Sequence, residues 1–225
     1  MNTPLAWTIR TTLVPVSGTN QVPSAGFWID LAERLIVLVF YGGLICRLLF
    51  PFLHGGEVGG LLLLPSEGLV CLFALLRRPT RVMLRRWQDW GLALAATIAP
   101  MLVQPGVGDP IIPLPLGASL LLSGMAIQLH AKLSLGRRFG CVPAHRGLQL
   151  GGPYRFVRHP MYAGYLLSHV AFLLMNPTWW NLAAYAFCYA LQTPRLLAEE
   201  KLLSGDPEYQ GYMDRVPYRL VPGLF

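Results

Sequence analysis

Residues 161–194 read MYAGYLLSHVAFLLMNPTWWNLAAYAFCYALQTP, two apolar runs interrupted by Asn176 and Pro177. Each run approaches the roughly 20 residues that a transmembrane helix needs. An Asn-Pro pair is a turn signal, and so short a connection makes the two flanking helices antiparallel neighbours. The stretch therefore predicts a helical hairpin, with helices at about 161–176 and 178–194.

Four longer apolar runs precede this hairpin, at about 31–53, 58–76, 87–104 and 111–133. Only 13% of the 225 residues are charged and 54% are hydrophobic, whereas a soluble domain carries about 25% charged residues. The chain lacks the polar groups to cover a water-facing surface. We expect an all-α, polytopic membrane bundle of about six transmembrane segments, ending in the hairpin and a cytosolic C-terminal helix.

The basic residues alternate between connections. Three regions contain most of them: Arg77, Arg78, Arg81, Arg85 and Arg86; then Arg137, Arg138, Arg146, Arg155 and Arg158; then Lys201, Arg215 and Arg219. The connections near 54–57, 105–110 and 176–178 contain no Lys or Arg. Because basic loops stay in the cytoplasm, both termini are expected to be cytosolic in the cytoplasmic membrane. The net charge of +7 then reflects topology, and no nucleic-acid partner is expected.

Three further features of the sequence are less specific: the N-terminal arm, the cysteines and Glu67. Residues 1–30 lack the continuous apolar core of a secretory signal and predict an interfacial or loosely ordered cytosolic arm. Four scattered cysteines without C-x-x-C spacing indicate neither a disulfide framework nor a metal site. Glu67, after Leu64-Pro65, is either functional within the membrane or lies in the first turn of a helix, where the helix dipole favours a carboxylate.

The polar residues concentrate in Gly151-Gly-Pro-Tyr-Arg-Phe-Val-Arg-His-Pro-Met-Tyr-Ala-Gly164. Pro160 disfavours a helical His159 and suits the first position of a helix, so the hairpin's first helix should begin at Pro160 with His159 as its cap. The unpaired amides of a helix start, beside Arg158, could bind a carboxylate or phosphate. In the first turn, Tyr162 could stack on a flat ligand and Gly164 could let a ligand approach the backbone.

The hairpin returns the chain to the same membrane face and brings Arg195 and Glu199, spaced i,i+4, close to that helix start. The site would then offer an anion receptor, carboxylates and an aromatic ring. A ligand that carries a carboxylate, an ammonium group and a flat base would match it, and S-adenosylmethionine has all three. In the alternative interpretation these residues bind no ligand. The first group, Arg158, His159 and Tyr162, is then an interfacial helix cap with an aromatic belt, and the second is a solvated helix start that contains Arg195, Glu199, Glu200 and Lys201.

The motif Gly152-Pro-Tyr-Arg-Phe-Val-Arg-His-Pro-Met-Tyr-Ala-Gly164, followed by Arg195-x-x-x-Glu199-Glu200 and the tail Tyr209-x-x-Tyr212…Val216…Arg219-x-x-Pro222, resembles the isoprenylcysteine carboxyl methyltransferase family and its phospholipid methyltransferase relatives. The resemblance covers roughly residues 134–225. Residues 31–133, which we expect to form a four-helix membrane region, resemble these families only in being hydrophobic.

This resemblance implies an S-adenosylmethionine cofactor at the cytosolic face and a lipophilic acceptor that arrives from the bilayer. By the same resemblance, Arg195 would face the acceptor, Glu199 would hold the cofactor, and Arg146-Gly147-Leu148-Gln149 would occupy the place of a cofactor loop. The predicted cofactor-binding residues are Tyr154, His159, Pro160, Met161, Tyr162, Gly164, Glu199, Glu200, Leu148 and Gln149, and the predicted catalytic residues are Arg195 and Arg158.

Function is thus predicted as methyl transfer to a carboxyl, thiol or amine of a lipophilic acceptor, without a metal. The alternative is a non-catalytic small transporter or assembly factor that keeps the same architecture. A lipid reductase using NADPH is a third interpretation, although no feature specifies a nicotinamide site.

Overall fold

A computed structural model of the chain describes residues 25–54, 64–76, 82–83, 87–105, 108–140, 144–145 and 147–224. Seven helices lie within these residues, and we number them in chain order: α1 (Ala25–Leu53), α2 (Leu64–Leu76), α3 (Trp87–Ile98), α4 (Leu114–Leu135), α5 (Pro160–Met175), α6 (Trp179–Leu203) and α7 (Pro207–Arg215). The other regular structure consists of short 3-10 turns and two strands of two residues each, β1 (Val82–Met83) and β2 (Ala144–His145). The all-α fold class is confirmed.

Several helix ends differ from the predicted spans. Helix α1 begins at Ala25, inside the arm predicted for residues 1–30, and an i,i+4 pair between Arg34 and Asp30 at 3.2 Å supports its early turns. Residues 1–24 lie outside the described part of the chain. Helix α2 begins at Leu64, which puts Glu67 in its first turn as the dipole argument predicted, although the Glu67 side chain is not among those described.

The predicted hairpin is present. Helix α5 begins at Pro160 with His159 as its N-cap, and α6 begins at Trp179 after a three-residue connection. The hydroxyl of Thr178 caps α6 by accepting from the backbone N–H of Asn181 at 3.1 Å. Helix α6 continues to Leu203, past the span predicted to end near residue 194, so that Arg195 and Glu199 lie on a continuation of the hairpin helix.

Helices α4 and α5 pack closely through two glycines. A Cβ at Gly164 would lie 2.7 Å from both the backbone N of Gln128 and the backbone O of Gly124. A Cβ at Gly124 would lie 2.7 Å from the carbonyl oxygen of Gly164. Small residues at these points let the two backbones approach each other. The buried side of α4 that faces this contact also contains Gln128.

The Arg-rich connections meet at one end of the bundle. Strand β1, between α2 and α3, pairs antiparallel with β2, between α4 and α5, with Val82 opposite His145. At the same end, Arg137 donates to the carbonyl oxygen of Leu76 at 2.6 Å and Arg34 donates to that of Leu75 at 2.9 Å. These arginines satisfy carbonyls that the last turn of α2 leaves unpaired.

Two of the connections without Lys or Arg, those near 105–110 and 176–178, meet through their described residues at the other end, around the fully buried Asn181. Its Oδ1 accepts from the backbone N–H of Gln104 at 2.8 Å, and its Nδ2 donates to the carbonyl oxygens of Gln104 at 3.0 Å and Asn176 at 2.8 Å. The backbone N–H of Ile111 also donates to the carbonyl oxygen of Leu174. Where these connections are described, those with and those without Lys or Arg therefore lie at opposite ends of the bundle.

The outer surface of the helices is strongly apolar. Large hydrophobic side chains are exposed on most of them, including Val39, Leu75, Leu114, Leu133 and Trp179. Among the described residues, one helix, Leu114–Arg138, is long and apolar enough to cross a bilayer, and two shorter apolar helices are Trp90–Leu102 and Pro160–Met175. The prediction of six spans remains a prediction.

Candidate functional site

A cleft lies at the Arg-rich end of the bundle, where α5 begins and α6 ends. About 820 Å³ of space, its open mouth included, lies between its walls. The end of α4, the loop at 147–149, the first turn of α5, α6 and α7 all contribute to it. Its lining residues are Leu135, Arg138, Gly140, Gly147, Leu148, Gln149, Tyr154, Arg158, His159, Met161, Tyr162, Arg195, Glu199, Leu203, Tyr209 and Tyr212.

The carboxylate of Glu200 joins three segments behind this cleft. Its Oε1 accepts from Nε2 of His159 at 3.1 Å and lies 2.9 Å from Nε of Arg158, while its Oε2 accepts from Nε of Arg219 at 2.9 Å. Burial alone would raise the pKa of this carboxyl, but the hydrogen bonds from His159 and Arg219 and the charge of Arg158 outweigh burial and hold the pKa below its ordinary value. Glu200 is therefore a buried, ionised anchor.

The C-terminal tail is fixed to the same segment by its backbone. The N–H groups of Arg158 and His159 donate to the carbonyl oxygens of Tyr218 and Arg219, both at 2.9 Å. Because a helix start leaves its amides unpaired, the tail satisfies two donors that precede α5. Together with the ion pair between Glu200 and Arg219, these bonds tie residues 218–219 to the cleft wall.

Helix α7 closes one side of the cleft with Tyr209 and Tyr212, which lie one turn apart. Tyr212 also contacts Tyr154, a third tyrosine of the lining. The hydroxyl of Tyr212 donates to the carbonyl oxygen of Tyr154 at 2.7 Å. Burial raises the pKa of Tyr212 to about 12, and burial together with the negative charge of Glu199 raises the pKa of Tyr154 still further. Tyr212 and Tyr154 are therefore neutral at physiological pH and line the cleft as hydrogen-bonding aromatic groups.

Two arginines that line the cleft carry buried Nε–H groups. Nε of Arg158, whose side chain is 7% exposed, lies 2.9 Å from Oε1 of Glu200, an ion pair without hydrogen-bond geometry. Arg138 donates from one terminal nitrogen to Oε1 of Gln149 at 2.7 Å, while its Nε–H is also without a hydrogen-bond partner. Buried donors of this kind are costly unless an acceptor meets them. The cleft is thus suited to an anionic group.

A second, mainly apolar cavity lies between the helices and adjoins the cleft, and its space, the open mouth included, is about 1340 Å³. Met161, Tyr162 and Arg195 line both spaces. The guanidinium of Arg195 lies over the ring of Tyr162, 5.8 Å from its centroid, and a terminal nitrogen donates to Oε1 of Gln192 at 3.5 Å. Arg195 is therefore held at the junction between a polar cleft and an apolar cavity.

The structure brings most of the predicted site residues together. Nine of them line the cleft: Leu148, Gln149, Tyr154, Arg158, His159, Met161, Tyr162, Arg195 and Glu199. Arg146 lies outside the described residues. The remaining three, Pro160, Gly164 and Glu200, are buried and do not contribute to the cleft wall. Pro160 starts α5, Gly164 contacts α4 rather than open space, and Glu200 faces the arginines behind the cleft.

Sequence reasoning did not assign a site role to Arg138, Tyr209 or Tyr212, all of which line the cleft. The i,i+3 spacing of the two tyrosines, which puts them on one face of α7, is a signal that could have found them. Arg138 was interpreted only as one of the charges of a cytosolic loop. Nothing in its sequence context distinguishes it from Arg137, which instead caps α2.

Comparison with known proteins gives one family. No curated protein matches the chain. The family model described as phospholipid methyltransferase matches residues 113–205, about two fifths of the chain. The matched residues include α4, α5 and α6, and with them Arg158, His159, Arg195 and Glu199. The chain therefore carries, in residues 113–205, a region that matches the phospholipid methyltransferase family, one of the two families that its sequence motif resembles.

Proposed function

We propose that this protein is a membrane-embedded methyltransferase that uses S-adenosylmethionine and acts on a lipophilic acceptor at the cytosolic face. The observation that carries the proposal is the junction at Arg195, where a polar cleft meets an apolar cavity. A transfer between a water-soluble donor and a lipid acceptor needs two such spaces in contact. The match to the phospholipid methyltransferase family supports the reaction class.

The cleft residues fit the cofactor group by group. The guanidinium groups of Arg158 and Arg138, which both line the cleft, suit the carboxylate of the amino acid portion. Glu199 can accept from the ammonium group or from the ribose hydroxyls. Tyr154 and Tyr162, with Leu148 and Leu203, provide the flat and apolar walls that an adenine ring requires.

The chain's own groups orient and shield the reaction. When bound, S-adenosylmethionine would supply an electrophilic methyl group on a sulfonium sulfur. The acceptor would present its lone pair to that methyl group and leave S-adenosylhomocysteine behind, and an amine acceptor would also have to lose a proton. Arg195 can hold an anionic group of the acceptor at the junction, and Tyr162 beside it limits access of water.

The surroundings support a bilayer location. Exposed large hydrophobic side chains cover the helices between the two ends, a density that water-facing surfaces rarely show. The Arg-rich end, which contains the cleft, would face the cytosol and its anionic headgroups. We therefore propose a multi-pass protein of the cytoplasmic membrane with both termini in the cytosol.

The reaction is tested with S-adenosylmethionine carrying a radiolabelled methyl group. Purified protein is incubated with total membrane lipids and, separately, with a panel of lipophilic thiols. Transfer of label to an organic-soluble product is expected for the wild type. Alkali releases label as volatile methanol from a methyl ester but leaves an N-methyl or S-methyl product intact, and this distinguishes a carboxyl acceptor from an amine or a thiol.

The test compares two variants of basic residues on α6. Arg195→Ala removes the one at the junction of cleft and cavity, and Lys201→Ala, the control, removes one that is exposed. Transfer should fall by at least about a hundredfold in Arg195→Ala, the loss expected for a group that positions the acceptor, and should be unchanged in Lys201→Ala. Equal activity of the two variants would remove Arg195 from the proposed reaction. No transfer by the wild type to any lipid or thiol would contradict the reaction class.

A further inference from the structure

The apolar cavity between the helices contains polar groups that a simple hydrocarbon chain would leave unsatisfied. Gln128 of α4 is 8% exposed, lines the cavity, and makes no hydrogen bond through its side chain within the described residues. The amide is open to the cavity, so a ligand that fills the cavity and displaces water would leave it unsatisfied, at a cost of about 1–3 kcal/mol, unless the ligand itself offers a hydrogen bond. Such a group in a cavity wall indicates a ligand that completes its hydrogen bonds.

The position of Gln128 is fixed by the close contact between α4 and α5. The backbone N of Gln128 lies against Gly164, at 2.7 Å from where a Cβ would be, and its own Cβ lies 3.0 Å from the same point. Ser168, one turn further along α5, donates weakly to the carbonyl oxygen of Leu121 at 3.4 Å. Gln128 and Ser168 therefore line the cavity from two tightly packed helices.

His169 adds a second fixed polar group to the same cavity. Its Nδ1 is 3.1 Å from the hydroxyl of Tyr189, and its ring stacks on that of Tyr185 with centroids 4.6 Å apart. These contacts fix the ring, and Nε2 has no hydrogen-bond partner within the described residues. A neutral imidazole with one nitrogen engaged offers a single donor or acceptor at the other.

Building on the proposed function, we propose that this cavity recognises an acceptor lipid carrying an uncharged hydrogen-bonding group, an ester carbonyl or a hydroxyl, in its membrane-embedded body, and that Gln128 and His169 bind that group. Arg195 lies at the cleft side of the cavity, so the acceptor extends from its reacting end at Arg195 into the bundle. A carboxamide can donate and accept, and an imidazole can do either, so both groups fit an ester or a hydroxyl. A purely hydrocarbon chain would leave both unsatisfied.

Native mass spectrometry of the full chain in detergent tests the proposal without requiring turnover. Three probes share an 18-carbon unsaturated chain: methyl oleate carries an ester, oleyl alcohol a hydroxyl, and octadecene neither. The wild type should bind at least one of the two polar probes about fivefold more than octadecene, the equilibrium equivalent of one ordinary hydrogen bond. Which polar probe is preferred distinguishes an ester from a hydroxyl. Equal binding of all three would overturn the proposal.

The decisive variant is Gln128→Leu, which keeps the side-chain volume and removes the amide. The preference for the polar probe should disappear while octadecene binding stays unchanged, and His169→Phe should act in the same direction. The apolar control, Met125→Leu in the same wall, should keep the preference. A Gln128→Leu protein that retains the full preference would exclude Gln128 from the site.

The thermal stability of Gln128→Leu provides a second readout. Because Gln128 gives up no hydrogen bond on substitution, the variant should melt at or above the wild-type temperature. A purely structural role for the amide predicts a lower melting temperature and an unchanged probe preference. Titration with S-adenosylhomocysteine separates the two proposals: if it fails to bind, the methyltransferase assignment fails, whereas the probe preference is judged on its own data.

Discussion

Nε2 of His159 lies 3.1 Å from Oε1 of Glu200, although 41 residues separate them in the chain. The contact joins the start of α5 to the end of α6, the two helix ends that carry the cleft. Since the carboxylate is ionised and can only accept, Nε2 of His159 must carry the hydrogen that lies between them. Glu200 therefore fixes the orientation of His159 in the cleft wall.

Replacing Glu200 with Gln should destabilise the protein. The substitution removes the negative charge that faces the buried Arg158, and a buried charge without its partner costs about 3–5 kcal/mol. Denaturant unfolding in detergent, followed by tryptophan fluorescence, measures the loss. Glu208→Gln on the exposed side of α7 is the control and should change stability by less than about 0.5 kcal/mol. Similar unfolding midpoints for both variants would contradict the anchoring role of Glu200.

The same carboxylate predicts how stability depends on pH. The folded pKa of Glu200 lies below its ordinary value of 4.5, so the unfolded chain binds the proton more readily. The stability from Glu200 is fully present above that ordinary value and is lost as the pH falls through the lower folded pKa. Melting temperatures of wild type and Glu200→Gln should differ most above pH 5 and converge below it. A constant difference down to pH 3 would show that Glu200 does not titrate in this way.

Substituting Gly164 with Ala should separate α4 from α5. The new methyl group would lie 2.7 Å from backbone atoms of Gln128 and Gly124, and backbone cannot move aside as a flexible side chain can. We expect a loss of about 1–3 kcal/mol, as for other overpacked contacts. Gly91→Ala in α3, where nothing lies within 4 Å, is the control and should be neutral or slightly stabilising. Equal stability of the two variants would argue against the close contact.

Removing the hydroxyl of Tyr212 should loosen α7. Tyr212→Phe loses the 2.7 Å hydrogen bond to the carbonyl oxygen of Tyr154 and leaves that buried acceptor unpaired, at a cost of about 1–3 kcal/mol. Because both residues line the cleft, S-adenosylhomocysteine should also bind several-fold more weakly. Tyr218→Phe, whose ring is partly exposed, should leave stability and affinity unchanged. Wild-type affinity in Tyr212→Phe would show that α7 is not part of the binding wall.

The local features of the fold could be predicted from the sequence. The start of α5 at Pro160 follows from the backbone restriction that proline places on His159, and the hairpin follows from Asn176-Pro177 between two apolar runs. The alternation of Lys and Arg predicted which connections share an end of the bundle, and the pairing of β1 with β2 joins two of them. All of these depend on neighbouring residues or on composition.

Tertiary contacts could not be predicted in the same way. Gly164 was predicted to bind the cofactor because a Gly in the first turn of the helix lets a ligand approach the backbone. In the structure, the backbone atoms of Gln128 and Gly124, on a helix distant in sequence, occupy the space beside it. Glu199 and Glu200 are adjacent, and successive residues on a helix point about 100° apart, so only one of them can face the cleft. Which one does so depends on Arg219 and the tail, whose position no local pattern specifies.

Calorimetric titration of the detergent-purified protein with S-adenosylhomocysteine tests the central claim most directly. The account predicts micromolar binding by the wild type, at least tenfold weaker binding by Glu199→Ala, which removes the carboxylate from the cleft, and unchanged binding by Glu208→Ala on the exposed side of α7. Absence of binding by the wild type in both detergent and nanodiscs would contradict the assignment of a methyltransferase cleft.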